Sequence, residues 1–468
     1  MLFNSFDFLG LVLITFSLYY LPSLSKFQIP VLIISSLFFY AFSEPVLVLL
    51  ILFSVFINIV SSYFVVYGNQ KNRKLYAIFG VVVNLSILLF FKYSALFANT
   101  FLEETSSVTE FLIKMPLPIG ISFFTFQGIS LVVDVYKEKY FNAKDIVPQS
   151  FLKHSERVLF FKGFFPQLIS GPIVKAHDFI PQIKTKYFSE IKWESFFKSI
   201  VIGYFLKMVV ADNLKDFTFW ISFPHFQGHS SLTLLVVLFG YSCQIFADFA
   251  GYSLIAIALA KLFGYDFKHN FDFPYISTTF KDFWKRWHIS LSSFLMEYLY
   301  IPLGGNKKGK VRTYINLMIV MVLGGLWHGA AWSYAVWGIF HGIALALERF
   351  LEDKINLGTS TWVKFAKWML VFGFVTLAWL LFKLPNFDHV IAFFKCINTN
   401  FSMGNNMKII TYTILYSLPV VLYHLIYLIR EKTFFSNYMK YDYLLLGIML
   451  FLILVNSGSS GAFIYFQF

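Results

Sequence analysis

Apolar windows separated by short polar loops run along the whole chain. They fall near 8–21, 29–42, 46–67 and 77–98, with a fifth opened by PLPIG and ending at Tyr136. Further windows lie at 196–212, 231–263, 311–326, 331–347, 364–382, 408–429 and 443–456. A bilayer core about 30 Å thick takes roughly 20 apolar residues as a helix, so the pattern predicts an all-α, polytopic membrane protein with about 10–12 crossings. Between 137 and 192 the pattern breaks. FFKGFFPQLISGPI carries Gly163, Pro166, Gly171 and Pro172, too many breakers for a straight span. Non-helical backbone at membrane depth must be covered by protein or line a water-filled cavity, so this stretch reads as re-entrant or interfacial. A surface loop with an amphipathic helix is the plainer alternative. No second domain, repeat or low-complexity tract interrupts the pattern, and 1–468 reads as one transmembrane domain around a central cavity.

Composition agrees with the pattern. The chain is 58% hydrophobic and 13% charged, where soluble domains carry about 25% charge. The net charge of +13 is spread over short loops rather than gathered on a soluble face, which argues against a nucleic-acid partner. GNQKNRKLY, KEKYFNAKD and REKTFFSNYMKYD are basic and expected in the cytoplasm, whereas FLEETSSVTE is expected outside. Both termini then lie outside. The first window lacks a basic leader and a small-residue cleavage site, so it reads as a retained crossing. Cys243 and Cys396 have no metal or redox spacing.

Candidate chemistry gathers at 280–342, FKDFWKRWHISLSSFLMEYLYIPLGGNKKGKVRTYINLMIVMVLGGLWHGAAWSYAVWGIFHG. Ionisable groups within apolar segments are functional candidates by default. His328 closes an apolar helix between Trp327 and Gly329, and Trp327 and Trp332 can exclude water. A neutral imidazole titrates near working pH and suits general-base chemistry; a core histidine bonded to a carbonyl is the plainer reading. Gly324 and Gly325 are expected to break or bend this helix. His288 follows Lys281, Lys285 and Arg286, a cationic rim for a phosphate-bearing ligand or lipid head groups. His341, on a continuous helix, would point about 220° away from His328 and outside its site. Asp248 lies mid-window and is expected to face the interior with a partner, as a hydrogen-bonding residue more than a catalytic one. No HxxxH, HExxH or Cys/His cluster suggests a metal. At the carboxy-terminus SGSSGAFIYFQF holds Tyr465 after a glycine- and serine-rich tether. Interfacial anchoring explains such an aromatic tail; a phenol presented to a base could instead act as a nucleophile.

WKRWHISLS, EYLYIPLGGN and GGLWHG together resemble the membrane-bound O-acyltransferases, nearest the branch that acetylates bacterial alginate or peptidoglycan. The resemblance implies that His328 is the active-site residue. It marks His288 as a second characteristic catalytic-site residue, one that positions the acyl donor or lines its tunnel and is not the base, and it implies that Trp287, Trp327 and Asn306 contact substrate. The tail 458–468 is similar to one in which a tyrosine, here Tyr465, carries the acyl group. Acetyl-coenzyme A is the implied donor, with no tightly bound cofactor, although the teichoic-acid D-alanylating branch draws on a carrier protein. The implied partner is an extracytoplasmic SGNH-type acetyltransferase, and the implied location is the bacterial inner membrane. The family's DFSGYSDMA appears here as DFAGYSLIA, with Ala250 for the serine and Leu254 for the second aspartate, so any role the family gives that second carboxylate does not carry over. A transporter or flippase of a lipid-linked glycan precursor is the competing class. It predicts discontinuous helices in matching halves, and only one broken segment is apparent.

Overall fold

The computed structural model describes residues 1–42, 44–103, 106–168, 171–352, 354, 358, 360–430, 442–459 and 461. Among these, every regular element is a helix. Seven helices are long and apolar enough to cross a membrane, and Phe6–Tyr19 and Asp442–Val455 are shorter apolar helices. Large apolar side chains such as Leu49, Phe53, Phe56, Val82 and Leu89 stand exposed on them, as lipid-facing positions require. Chain contacts group into two units, 1–199 with 255–268, and 200–254 with 269–468.

In the first unit, Leu47–Tyr67, Arg73–Phe101, Ile121–Lys137 and Phe151–Gly163 pack on one another. Their shared face is polar. Ser54, Asn58, Ser61 and Ser62 lie at helical spacing on Leu47–Tyr67 and are all buried. Lys162, fully buried, donates to the Ser54 carbonyl and hydroxyl at 3.2 and 2.7 Å and to Asn58 Oδ1 at 3.1 Å. The Ser62 hydroxyl meets His154 Nε2 at 2.8 Å. A Cβ at Gly128 would fall 2.0 Å from Asn58 Oδ1, so only glycine admits this layer. Helices in lipid gain little by burying more apolar surface, and small residues with interhelical hydrogen bonds set their contacts instead. The interrupted stretch follows as Phe151–Gly163, Phe165–Leu168 and Ala176–Phe179. Residues 160–168 are buried throughout, so protein covers the broken backbone.

The second unit is organised by a helical hairpin, Lys310–His328 and Trp332–Glu352. Gly324 and Gly325 do not break the first helix, which runs continuously to His328. Their use is close approach. A Cβ at Gly325 would lie 2.2 Å from the Tyr334 carbonyl oxygen, and one at Gly338 would lie 2.4 Å from that of Met321. Ser231–Leu262 contributes its first part to this unit. Phe387–Thr399 is a further amphipathic helix that the apolar windows did not register, and it buries only Val390 and Phe393.

The hairpin contact generates a stability prediction. Gly338→Val should cost about 1–3 kcal/mol through overpacking against backbone and lower the thermal midpoint in detergent. Gly373→Val is the control, because a Cβ there meets nothing within 4 Å. Equal midpoints for the two variants would refute glycine-mediated packing at Gly338.

Candidate active site

The histidine pair is placed by two backbone devices. Phe280–Arg286 is capped by the Thr279 hydroxyl, which accepts from the Asp282 N–H at 3.0 Å. The Glu348 carboxylate accepts from the Phe280 and Lys281 N–H groups at 2.6 and 3.2 Å, a favourable charge at a helix N-terminus. After this helix the chain turns through His288, whose backbone is left-handed (φ 44, ψ 55). A residue with a Cβ adopts that region at a cost of about 1–3 kcal/mol and only where its surroundings enforce it. Here Asn270 enforces it: its carbonyl accepts from the Ile289 N–H at 2.9 Å and its Oδ1 from the Ser290 N–H at 3.3 Å. The second device ends the Lys310–His328 helix. Gly329 is extended, and a Cβ there would stand 2.2 Å from the Tyr334 ring, so the chain leaves the helix directly after His328.

These turns bring His288 and His328 together, with ring centroids 6.2 Å apart. Trp327 lies 5.7 Å from His288 and 5.2 Å from His328. Trp337 and Phe382 approach His328 at 5.3 and 5.2 Å, and Phe249 meets His288 edge-on at 4.6 Å. His288 is fully buried and His328 is 3% exposed. Burial lowers the His288 pKa and keeps that ring neutral. Both ring nitrogens of His288 and Nε1 of Trp287 and Trp337 lack hydrogen-bond partners among the described residues. Buried polar atoms are ordinarily paired. Several such atoms gather in this one aromatic enclosure.

The sequence-derived candidates separate on inspection. His288, His328, Trp287 and Trp327 belong to one cluster, with Trp287 stacked on Phe283 at 5.6 Å and 4.9 Å from Trp379. Asn306 does not join them: it is exposed in the loop after the π-helical Met296–Tyr300 and accepts from the Tyr300 hydroxyl. Buried Asn316 holds that loop, donating to the Gly305 carbonyl at 3.1 Å. Of the expected cationic rim, Lys281 and Lys285 are exposed, while Arg286 is committed to Asp282 at 3.0 Å and Asp272 at 3.4 Å. The continuous helix assumed for His341 does not exist. The chain reverses after His328, and Trp337 touches both His328 and, at 4.6 Å, His341. Asp248 has the expected partner: Lys207 Nζ lies 2.8 Å from it and 2.7 Å from Asp212. Tyr465 lies outside the described residues. Trp337, Phe382 and Phe249 escaped sequence reasoning, because only the chain reversal and a distant helix bring them to the histidines. No group of three or more metal-ligating side chains occurs among the described residues.

The membrane-bound O-acyltransferase family profile matches residues 106–387. The chain is 36% identical to a peptidoglycan O-acetyltransferase of Helicobacter pylori over 78% of its own length and 72% of the relative's. It is 35% identical to a probable alginate O-acetylase of Pseudomonas aeruginosa, covering 82% and 72% of the two chains. With a teichoic acid D-alanyltransferase of Bacillus subtilis it shares 28% identity over 58% and 70%. A multi-pass helical chain with a buried histidine pair, matched over more than half its length by this profile, is an enzyme of the membrane-bound O-acyltransferase family.

Proposed function

We propose that this protein moves an acetyl group from a cytoplasmic thioester, acetyl-coenzyme A, toward hydroxyls of an extracytoplasmic glycan at the bacterial inner membrane. The observation that carries the reading is the His288–His328 pair inside an aromatic enclosure. Higher identity to the O-acetylating relatives than to the D-alanylating one favours acetyl. Residues 1–468 act as one catalytic domain with both termini outside. The exposed Lys307, Lys308 and Lys310 next to the loop at 301–309 favour the cytoplasmic face and suit the phosphates of a coenzyme.

In this scheme His328 is the general base and His288 orients the thioester carbonyl, with Trp287 and Trp327 excluding water. His328 takes the proton from the Tyr465 hydroxyl as the phenol oxygen attacks the thioester carbonyl. The carbon–sulfur bond breaks, and the proton leaves with the thiol. A glycan hydroxyl then attacks the aryl ester carbonyl, the acetyl–phenol bond breaks and the hydroxyl proton returns to the Tyr465 oxygen, with an SGNH-type extracytoplasmic transferase completing delivery. A covalent relay divides one difficult transfer into two easier ones, and tethering supplies the nucleophile at high effective concentration.

Two substitutions test the scheme. His328→Ala should lower acyl transfer by about 10²–10⁴-fold, the range of a lost general base, while the protein stays monodisperse with an unchanged thermal midpoint. Wild-type turnover by the folded variant would remove His328 from the mechanism. Tyr465→Phe keeps the ring and removes the oxygen. It should abolish glycan acetylation at normal expression, and intact-mass analysis of the wild type should find the acetyl group on Tyr465. Normal acetylation by this variant would end the relay while leaving His328 as the base.

A further inference from the structure

The second unit contains a buried ion cluster that the proposed chemistry does not use. Lys207 lies between Asp212 and Asp248 at 2.7 and 2.8 Å, and all three side chains are 2–4% exposed. Positions five apart on an α-helix point about 140° away from each other, so Lys207 and Asp212 could not pair there. They pair because Phe205–Ala211 is π-helical, with the Asp212 N–H donating to the Lys207 carbonyl. Gly251 lets the Ser231–Leu262 helix press on this turn, since a Cβ would fall 2.8 Å from the Gly203 carbonyl oxygen and 2.9 Å from the Lys207 nitrogen. Buried ion clusters contribute little net stability and are best attested as devices that fix register.

The same turn holds the end of the chain. Where bonding reverts from i−5 to i−4 after a π turn, one carbonyl is passed over. The Met208 carbonyl accepts instead from the Gly458 N–H at 2.9 Å. Asn213 Nδ2 donates to the Asn456 carbonyl at 2.9 Å, and Lys215 Nζ to that of Ser459 at 3.2 Å. A Cβ at Gly458 would stand 2.6 Å from the Asn213 nitrogen, and one at Gly461 would stand 3.2 Å from Asp212 Oδ1. Glycines at both positions therefore let the segment lie against the cluster.

We propose that Lys207, Asp212 and Asp248 are positioning residues that build a seat for the chain's own residues 456–459 and 461, so that the residues beyond them start from a fixed point. The consequence for catalysis rests on the relay reading. The seat itself does not. Asp248 precedes Phe249, which packs on His288, so adjacent residues of one helix touch the seat and the histidine enclosure.

The test is hydrogen exchange by mass spectrometry on the full chain in lipid nanodiscs, with glycan acetylation measured in parallel. Three variants are compared: Asp248→Asn, which keeps the side chain's shape; Asn213→Ala with Lys215→Ala; and Gly458→Val. The second leaves the buried cluster intact and keeps the test decisive should Asp248→Asn fold poorly. In each, exchange in the peptide covering 456–461 should rise by about tenfold or more, exchange in Lys310–His328 should stay unchanged, and glycan acetylation should fall by about tenfold or more. Wild-type exchange at 456–461 in folded Asn213→Ala/Lys215→Ala and Gly458→Val proteins would overturn the seat, whatever Tyr465→Phe does. Faster exchange with full acetylation would overturn the positioning role. A relay that fails the Tyr465→Phe test leaves the exchange result to decide the seat alone.

Discussion

Everything in this structure depends on keeping polar groups workable where water is excluded. A buried imidazole can accept a proton only if it is held in place and stays neutral. Here backbone geometry supplies part of that hold. Asn270 fixes the left-handed turn at His288, and the Tyr334 ring against Gly329 fixes the exit after His328. Aromatic rings then fill the space that solvent would occupy. Mobile ring contacts alone would let the pair drift; anchoring it to helix ends ties its spacing to the packing of the hairpin.

The same constraint recurs away from the site. Lys162 among Ser54 and Asn58, and Lys207 between two aspartates, are buried amines whose donors are met inside the protein. Each coincides with glycines where backbones or side chains come close, Gly128 in one unit and Gly251 in the other. Polar layers of this kind cost more to leave unpaired than they contribute when paired, so they select one helix register over its neighbours. That is the service a catalytic pair needs, since a slip of one helical residue would move its donor by about 1.5 Å and turn it by about 100°.

The helices were legible because apolar windows are a direct reading of bilayer thickness, and the boundaries of Leu47–Tyr67 and Ser231–Leu262 follow the windows closely. His328 stood out because ionisable groups are rare at the end of such a window, and His288 because it closes a basic, aromatic segment. Hydropathy averages over pairing, however, and Lys207 disappeared inside an apolar stretch whose π turn no periodicity signals. Gly324 and Gly325 were read as breakers because propensity describes an isolated helix, whereas a neighbouring backbone decides their use here. The angle assigned to His341 assumed a straight helix through Gly329, where the chain reverses instead. Asn306, chosen on resemblance, lies in the loop held by Asn316 and away from the rings.

The central claim is that a thioester reaches the His288–His328 pair from the face that carries Lys307, Lys308 and Lys310. The most direct measurement uses proteoliposomes of known orientation, with radiolabelled acetyl-coenzyme A supplied to one face at a time and release of free thiol followed. The account predicts thiol release and protein-bound label only when the donor meets the lysine-bearing face. Release from the opposite face alone, or none from either, would contradict it.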